Sequence, residues 1–377
     1  MTKIQTKPHH KEYLALSMVH GLGPRRTACL LDHFSTPRSV LEAPLPELEA
    51  VKGISEKMAR FIVDFDRWDD VDRVFRVAKE RGIDWMTPAD EIFPDPLLQI
   101  YDTPPILWSI GDPSILKRPM VAVVGTRRAA TYSTDLAREW SMKLAQAGFV
   151  VVSGMASGVD HAAHQGALSA GETVAVLGNG VDRIYPREST DVYKAMTSGG
   201  GVLLSPFLPG SRPVRGNFPA RNRLISGLSL GLLLVQSGMK GGSMRTARMA
   251  LDQNREVFAI PHDLHRAFSE GGHYLIKSGE AKLVDSLEDV ISELPPMEQP
   301  DGPNLEAVEV ALQSRLQLLS EVENSILELV DDEKLHVDQI SRTLDLPMHR
   351  LSAHLTGLEI QGLIRQFPGG HIKRLYV

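Results

Sequence analysis

Between residues 119 and 294 the sequence repeats one pattern, a short and nearly unbroken apolar run followed by an amphipathic stretch. The runs fall at 120–124, 149–152, 173–177, 201–204, 230–235 and 256–260. A strand with one face in water alternates apolar and polar residues, whereas a strand that is apolar at nearly every position must be covered on both faces. Helices placed between such strands supply both the cover and the crossovers that parallel strands require. The pattern predicts a doubly wound, Rossmann-like α/β domain with a parallel sheet, whose ligands sit at the carboxyl ends of the strands.

The flanks differ in kind. Near the start, Leu14, Leu16 and Met18 precede the turn Gly21-Leu22-Gly23-Pro24, and Ala28, Leu30, Leu31 and Phe34 follow it. The stretch from Val19 to Arg26 can be laid over Val51 to Met58, 32 residues later. Each copy has a Gly-apolar turn opening a helix and resembles the helix-hairpin-helix element, which offers backbone N–H groups to a phosphate. Small helical domains use the same turns purely for packing. A further helix is expected at 68–82, then a proline-rich extended connection at 88–119, with 100–110 a candidate strand. Pro295, Pro296, Pro300 and Pro303 stand among acids without apolar periodicity and read as a linker. Beyond it, Val322, Ile326, Leu327 and Val330 mark one amphipathic helix. Val337, Ile340 and Leu344 mark a second, and Met348, Leu351, Leu355 and Leu358 a third. Alternating runs at 363–367 and 371–377 flank Pro368-Gly369-Gly370 as a hairpin would, which completes a winged-helix pattern. The expected organisation is a helical SAM-like domain at 1–87, the α/β domain with its extended lead-in at 88–294, an acidic linker at 295–319 and a winged helix at 320–377.

The 377 residues carry a formal charge of -6, which excludes a protein coated in positive charge. The charge is unevenly placed. Residues 285–309 hold eight acids and no Lys or Arg, whereas 212–256 hold eight Lys or Arg against Asp252 and Glu256, a local excess of +6. Because salt screens charges beyond roughly 10 Å, such a segment can attract an anionic polymer despite the overall sign. One cysteine, Cys29, excludes an internal disulfide and fits a reducing, cytoplasmic setting. The polar first ten residues do not resemble a signal peptide. No apolar run approaches the roughly 20 residues that span a bilayer, so no membrane partner is expected.

The strand-end loops carry the chemistry. The first strand runs into Gly125-Thr126-Arg127-Arg128, with one glycine where a dinucleotide fold would place three, and the second ends in Val152-Ser153 without an acid for a ribose. Both departures argue against NAD, and the absence of a Gly-x4-Gly-Lys-Ser/Thr loop argues against a P-loop ATPase. No cofactor is expected. Two arginines at a strand end suit the gripping of phosphates one by one. The second strand feeds Ser153-Gly154-Met155-Ala156-Ser157-Gly158, and a helix starting near Val159 would aim N–H groups at an anion. His161 and His164 beside Asp160 could be read as metal ligands, but zinc sites show tighter pairs and a further partner. Histidines satisfied by hydrogen bonds are the preferred reading, with no metal. Arg187, the Phe218 to Arg223 segment, and Lys240 with Gly242, Ser243 and Thr246 complete the loops that the topology would gather at one rim. Arg127, Arg187, Arg221, Arg223 and Lys240 beside Phe218 combine phosphate clamps with a base-stacking surface.

Five loops in order resemble the DNA-processing protein A family, also called Smf. They are Val-x-Val-Val-Gly-Thr-Arg at 121–127, Ser-Gly-Met-Ala-Ser-Gly-Val-Asp-x-x-Ala-His at 153–164 and Val-Leu-Gly-x-Gly-Val-Asp-x-x-Tyr-Pro at 176–186. The other two are Phe-Pro-x-Arg-Asn-Arg-Leu-Ile-Ser-Gly-Leu-Ser at 218–229 and Gly-Ser-Met-x-Thr-Ala at 242–247. The resemblance covers most of the chain, since members carry an N-terminal helical SAM-like domain and a C-terminal winged helix. It implies a non-enzymatic protein of natural transformation that binds and protects single-stranded DNA, dimerises and helps load the recombinase RecA. Carried over by position, Gly125, Thr126, Arg127, Ser153, Gly154, His164, Arg187, Phe218, Arg221, Asn222, Arg223, Lys240, Gly242, Ser243 and Thr246 would form the DNA site. Arg127 and Arg187 would grip phosphates, and Gly125, Gly154, Gly242 and Ser243 would supply close backbone contacts. The sequence departs from the family pattern at Thr126, Pro206, Gln236, Gly241 and His262, all at loop edges.

Two other readings compete. Gly241-Gly242-Ser243 suggests a Rossmann-type nucleotide phosphoribohydrolase, although Arg245, Thr246 and Arg248 stand where a glutamate should follow. A winged-helix regulator of duplex DNA would use residues 348–360, which offer only Arg350, His349 and His354 against Glu359. Apolar residues around 228–234 or 249–251 are candidates for a dimer surface, and the acidic linker could compete with DNA for the basic rim.

Overall fold

The computed structural model describes residues 6–295, 320–330, 335–360, 364–367 and 369–374, divided between two compact units, Met1–Glu298 and Gln299–Val377. The first unit is built on a nine-stranded sheet. Its strands are β1 (Asp84–Met86), β2 (Leu107–Ile110), β3 (Met120–Gly125), β4 (Val150–Ser153), β5 (Thr173–Val176), β6 (Gly201–Ser205), β7 (Gly231–Gln236), β8 (Glu256–Ala259) and β9 (Lys282–Leu283). They lie in the order β1-β2-β6-β5-β4-β3-β7-β8-β9. From β6 to β9 every neighbour is parallel, and β1 and β2 extend the β6 edge antiparallel.

The six apolar runs are β3 to β8, within a residue or two at each end. Strands β1 and β9 have three and two residues, too few for any periodicity. β1 follows the helix expected at 68–82, within the segment assigned to the helical domain, and belongs to the sheet.

Alternate residues of β3 face opposite layers, as a two-residue period requires. Val121 and Val123 join Trp140 and Leu144 of the helix Thr131–Gln146 and Val159, Ala162 and Ala163 of the helix Val159–Leu168. Ala122 and Val124 join Leu224, Ile225 and Leu228 of the helix Asn217–Leu228 and Met244, Ala247 and Ala250 of the helix Gly242–Asp252. The apolar stretch 228–234, expected as a candidate dimer surface, is consumed by these layers. Leu228, Leu232, Leu233 and Leu234 are buried, and Met249 and Leu251 are half-buried. Exposed apolar side chains do occur elsewhere, as at Met239, Leu264, Tyr274 and Leu283, which line one groove.

The N-terminal helices enclose their own core, from Leu16 and Leu30 to Ala59 and Ile62. Leu14, Val71 and Phe75 join Trp85 of β1 and Trp108 of β2, cross-strand partners at the sheet edge. A polar clasp closes the junction. Buried His10 accepts at Nδ1 from the Lys7 amide (3.0 Å) and from Trp85 Nε1 (3.1 Å), so its proton sits on Nε2, 2.9 Å from Asp90 Oδ2. His9 and the Lys7 ammonium reach the other oxygen at 3.2 and 3.3 Å. These groups converge as metal ligands would, but His10 turns an N–H toward the carboxylate where a metal needs a lone pair. The arrangement is a hydrogen-bonded clasp.

The second unit has helices Glu321–Leu329, Val337–Thr343 and Met348–Ile360. Its sheet has the order β10-β12-β11, formed by β10 (Leu335–His336), β11 (Ile364–Phe367) and β12 (His371–Arg374). Ile326, Leu327, Ile340, Leu351, Leu355, Ile364 and Ile372 form its core, a winged helix. The expected linker lies, apart from Pro295, outside the described residues. No helix of the described residues is long and apolar enough to cross a membrane.

The clasp makes stability depend on pH. Burial pushes the Asp90 carboxyl up, but hydrogen bonds from His10 and Thr87 outweigh it and hold the group far below the ordinary carboxylate range. A carboxyl depressed in the folded state stabilises above its unfolded pKa, and that contribution shrinks as the pH falls below it. Asp90→Asn is therefore expected to cost about 1.5–3 kcal/mol at pH 7 and distinctly less at pH 3, measured by thermal unfolding at both pH values.

Candidate nucleic-acid interface

β3 lies between β4 and β7. The chain leaves β3 through the helix Thr131–Gln146 toward β4, and leaves β7 through the helix Gly242–Asp252 toward β8, on the other side. The loops after β3 and β7 thus part in opposite directions and open a crevice, the usual ligand position in such sheets. A cleft of about 980 Å³ lies there. One wall is Gly125 to Arg128, the facing wall is Gly238 to Ser243, and Asp160, Arg215, Arg221, Asn222, Thr246, Phe268 and Glu270 are among the other lining residues.

Of the residues expected at the site, Gly125, Thr126, Arg127, Arg221, Asn222, Lys240, Gly242, Ser243 and Thr246 line this cleft. Gly154 and Phe218 join Arg127 and Arg221 around an adjoining pocket of about 60 Å³, with Asn179 and Tyr185. The Arg127 guanidinium lies 5.2 Å from the centre of the Phe218 ring, a cation–π distance. Tyr185 stands 5.7 Å away. The half-buried ring rests on Gly178, where a Cβ would meet it at 2.9 Å.

Four expected residues lie elsewhere. Ser153 is buried and donates to the Val123 carbonyl at 2.6 Å, tying the ends of β4 and β3. His164 is fully buried at the amino end of β5, where Nδ1 meets Thr173 Oγ1 at 2.9 Å. Burial, with His161 and Arg221 nearby, pushes its pKa down to about 3, so it is neutral at ordinary pH. His161 meets Ser189 Oγ at 3.2 Å instead, so the two histidines serve separate hydrogen bonds. Arg187 is exposed and opens the turn Arg187–Ser189, one residue beyond the small pocket. Arg223 is buried, donates to the Asp102 carbonyl and pairs with its carboxylate at 2.9 Å. It fastens its helix to the lead-in segment and does not line the cleft.

The glycines also divide. A Cβ added to Gly242 would meet nothing within 4 Å, so this residue stands open at a helix start. A Cβ on Gly125 would strike Val159 at 2.5 Å, and one on Gly154 would overlap the Arg221 guanidinium. These two make room for the protein's own side chains. Ser243 donates to Ser237 Oγ at 2.7 Å, and Thr246 to the Gly242 carbonyl at 3.2 Å.

Charge is layered by depth. Arg127, Arg128, Arg215 and Lys240 lie toward solvent on the cleft, and among the described residues none of them forms an ion pair. Beneath them Arg221 is only 3% exposed. Burial pushes its pKa down to about 10, partly offset by Asp160, and it donates to the Val176 carbonyl at the end of β5. Arg128 is the second of the two strand-end arginines, just past the motif at 121–127, whereas no motif singles out Arg215, which lies in the positive segment. Phe268 and Glu270 follow β8, where no motif marks the loop.

Fold and cleft together define a doubly wound α/β protein with a crevice lined by exposed cations at its switch point, carrying a winged helix. Comparison with known proteins places it more narrowly. The family model described as DNA recombination-mediator protein A matches residues 84–295, and that of the DprA winged helix domain matches residues 311–370. The chain is 32% identical to protein Smf of Synechocystis over 96% of its own length and 98% of that protein. The structure of DNA processing protein A from Streptococcus pneumoniae is similar at a TM-score of 0.67 and 30% identity, covering 78% of this chain and all of that one. A structure of the Helicobacter pylori protein, reported for its single-stranded DNA binding mode, is similar at a TM-score of 0.50 and 32% identity, covering 55% and 94%. The chain belongs to the DNA recombination-mediator protein A family, the DprA/Smf proteins of DNA processing.

Arg223→Ala is expected to lower stability by about 1.5–3 kcal/mol, the range for charged hydrogen bonds, in urea unfolding. The salt dependence of DNA binding should stay as in the parent protein, because this cation faces Asp102.

Proposed function

We propose that the cleft between the loops after β3 and β7 binds single-stranded DNA without sequence preference and without catalysis. The observation that carries this reading is the set of outward cations, Arg127, Arg128, Arg215 and Lys240, that line a groove at the switch point beside the ring of Phe218. Unpaired cations suit a phosphate backbone, and an aromatic ring suits bases of any identity. The carboxylates lining the cleft are Asp160, which is buried and offset by Arg221, and Glu270. The Ser243 hydroxyl is spent on another serine, and among the described residues no histidine lines the cleft. These features favour holding a polymer over acid–base or nucleophilic chemistry. Similarity to the Helicobacter pylori protein supports the choice of single-stranded DNA. On this reading the protein acts in the cytoplasm during natural transformation, protects incoming strands, works as a homodimer and helps load RecA. An apolar groove beside β9, lined by Met239, Leu264, Tyr274 and Leu283, is the proposed surface between the two copies.

Titration with mixed-sequence single strands and duplexes at several salt concentrations tests the reading, and tighter binding of single strands with a negative slope of log affinity against log salt is expected. Arg127→Ala should weaken binding for every sequence and lessen the slope by about 0.7, one phosphate contact on a single strand. Unchanged affinity and slope would remove Arg127 from the site. Phe218→Ala should cost about 1–3 kcal/mol of binding if the ring stacks a base. Tyr274→Glu should yield monomers by light scattering, and an unaltered dimer would place the interface elsewhere.

A further inference from the structure

The loop motifs assign Arg221 to DNA, yet it is the most deeply buried cation of the cleft, and the groups around it are parts of the protein. Its guanidinium fills the space that Gly154 leaves by lacking a Cβ and donates to the Val176 carbonyl. It stands 6.0 Å from the centre of the Phe218 ring, three residues earlier on the same helix. Asp160, 7% exposed, occupies the first turn of the helix Val159–Leu168. Its carboxylate accepts from the Ala156 amide at 3.4 Å, which ties the loop 154–158 to it. Burial disfavours the charged form of both groups, and each charge partly offsets that for the other through space. An isolated buried charge is costly, and removal of either partner would leave one.

We infer that Asp160 and Arg221 are positioning residues for the cleft: together they hold the loop 154–158 and the Phe218 ring in place, and neither contacts DNA. The inference rests on the reading of the cleft as a single-strand site. It reverses an ordinary expectation. An acid in a DNA cleft repels phosphate, so its removal should tighten binding, yet here replacing Asp160 by a neutral residue should weaken it.

The test has one arm without DNA and one with it, on the full chain. Amide hydrogen exchange is followed in Asp160→Asn, in Arg221→Lys, and in the double variant Asp160→Asn with Arg221→Met, which leaves no unpaired buried charge and so keeps the fold if the single variant loses it. In the double variant, exchange in segments 154–158 and 217–222 should rise by about tenfold or more while the amides of β3, β4 and β5 stay protected. Arg221→Lys, which keeps the charge, should retain most of the protection. In the second arm, the double variant should bind oligonucleotides about tenfold more weakly with the salt slope of the parent protein, since no phosphate contact is lost. Parental exchange in the double variant overturns the inference. So does a slope reduced by about 0.7, which would make Arg221 itself a phosphate contact. If the parent protein binds no single strand, the functional reading falls, and the exchange arm alone still decides whether the pair positions these segments.

Discussion

The architecture depends on the place of β3 between β4 and β7. A central parallel strand needs hydrogen-bonded neighbours on both edges, and a chain that has wound outward through β4, β5 and β6 must return to the middle before it can supply the second. The return separates the loops that follow β3 and β7. The separation leaves a crevice at the carboxyl ends of the two strands, and a bulge between Val124 and Gly125 with the bond from Thr126 to the Gln236 carbonyl sets its floor. Cationic side chains carried by the two loops therefore gather at this one edge of the sheet.

Within the crevice, depth separates cations of the same chemical type. Arg127, Arg128, Arg215 and Lys240 keep their charges in water, where a polymer can displace their counterions. Arg221 and Arg223 are withdrawn, the first toward Val176 and Asp160 and the second onto Asp102. A buried guanidinium suits such work because its planar fork serves several acceptors and it resists losing its proton. The cleft thus has one buried inner cation, Arg221, and an exposed outer set, while Arg223 is spent outside it. This layering also explains how a protein of formal charge -6 offers a positive groove: four exposed cations line it against one exposed acid, Glu270, while Asp160 is buried beside Arg221.

Much of the fold is legible in the residues. The runs that form β3 to β8 are apolar at almost every position because both faces are covered, and the helices between them carry the matching stripes. The winged helix is readable from three amphipathic periods and a glycine turn. β1 and β9 are not, because strands of two or three residues are defined by their partners. The candidate site is legible to the level of loops. Arg127, Lys240 and Gly242 lie where their positions at strand ends and helix starts suggest, whereas Ser153 and His164 are absorbed into structural hydrogen bonds. Arg215 falls outside the pattern because a motif marks fixed spacing and an exposed cation needs none.

By itself the sequence determined the covered parallel sheet, the two flanking helical segments and the family, because periodicity and the ordered loops are local properties of the chain. Only the tertiary structure decided which arginines face the cleft and which are spent within the protein. Burial is a property of distant neighbours: Gly154 admits Arg221 and Asp102 claims Arg223 across 121 positions of sequence. The local excess of positive charge between residues 212 and 256 marked the right region, but charge counting assigns the same weight to every guanidinium. The folded chain does not, since water surrounds some of them and protein the others.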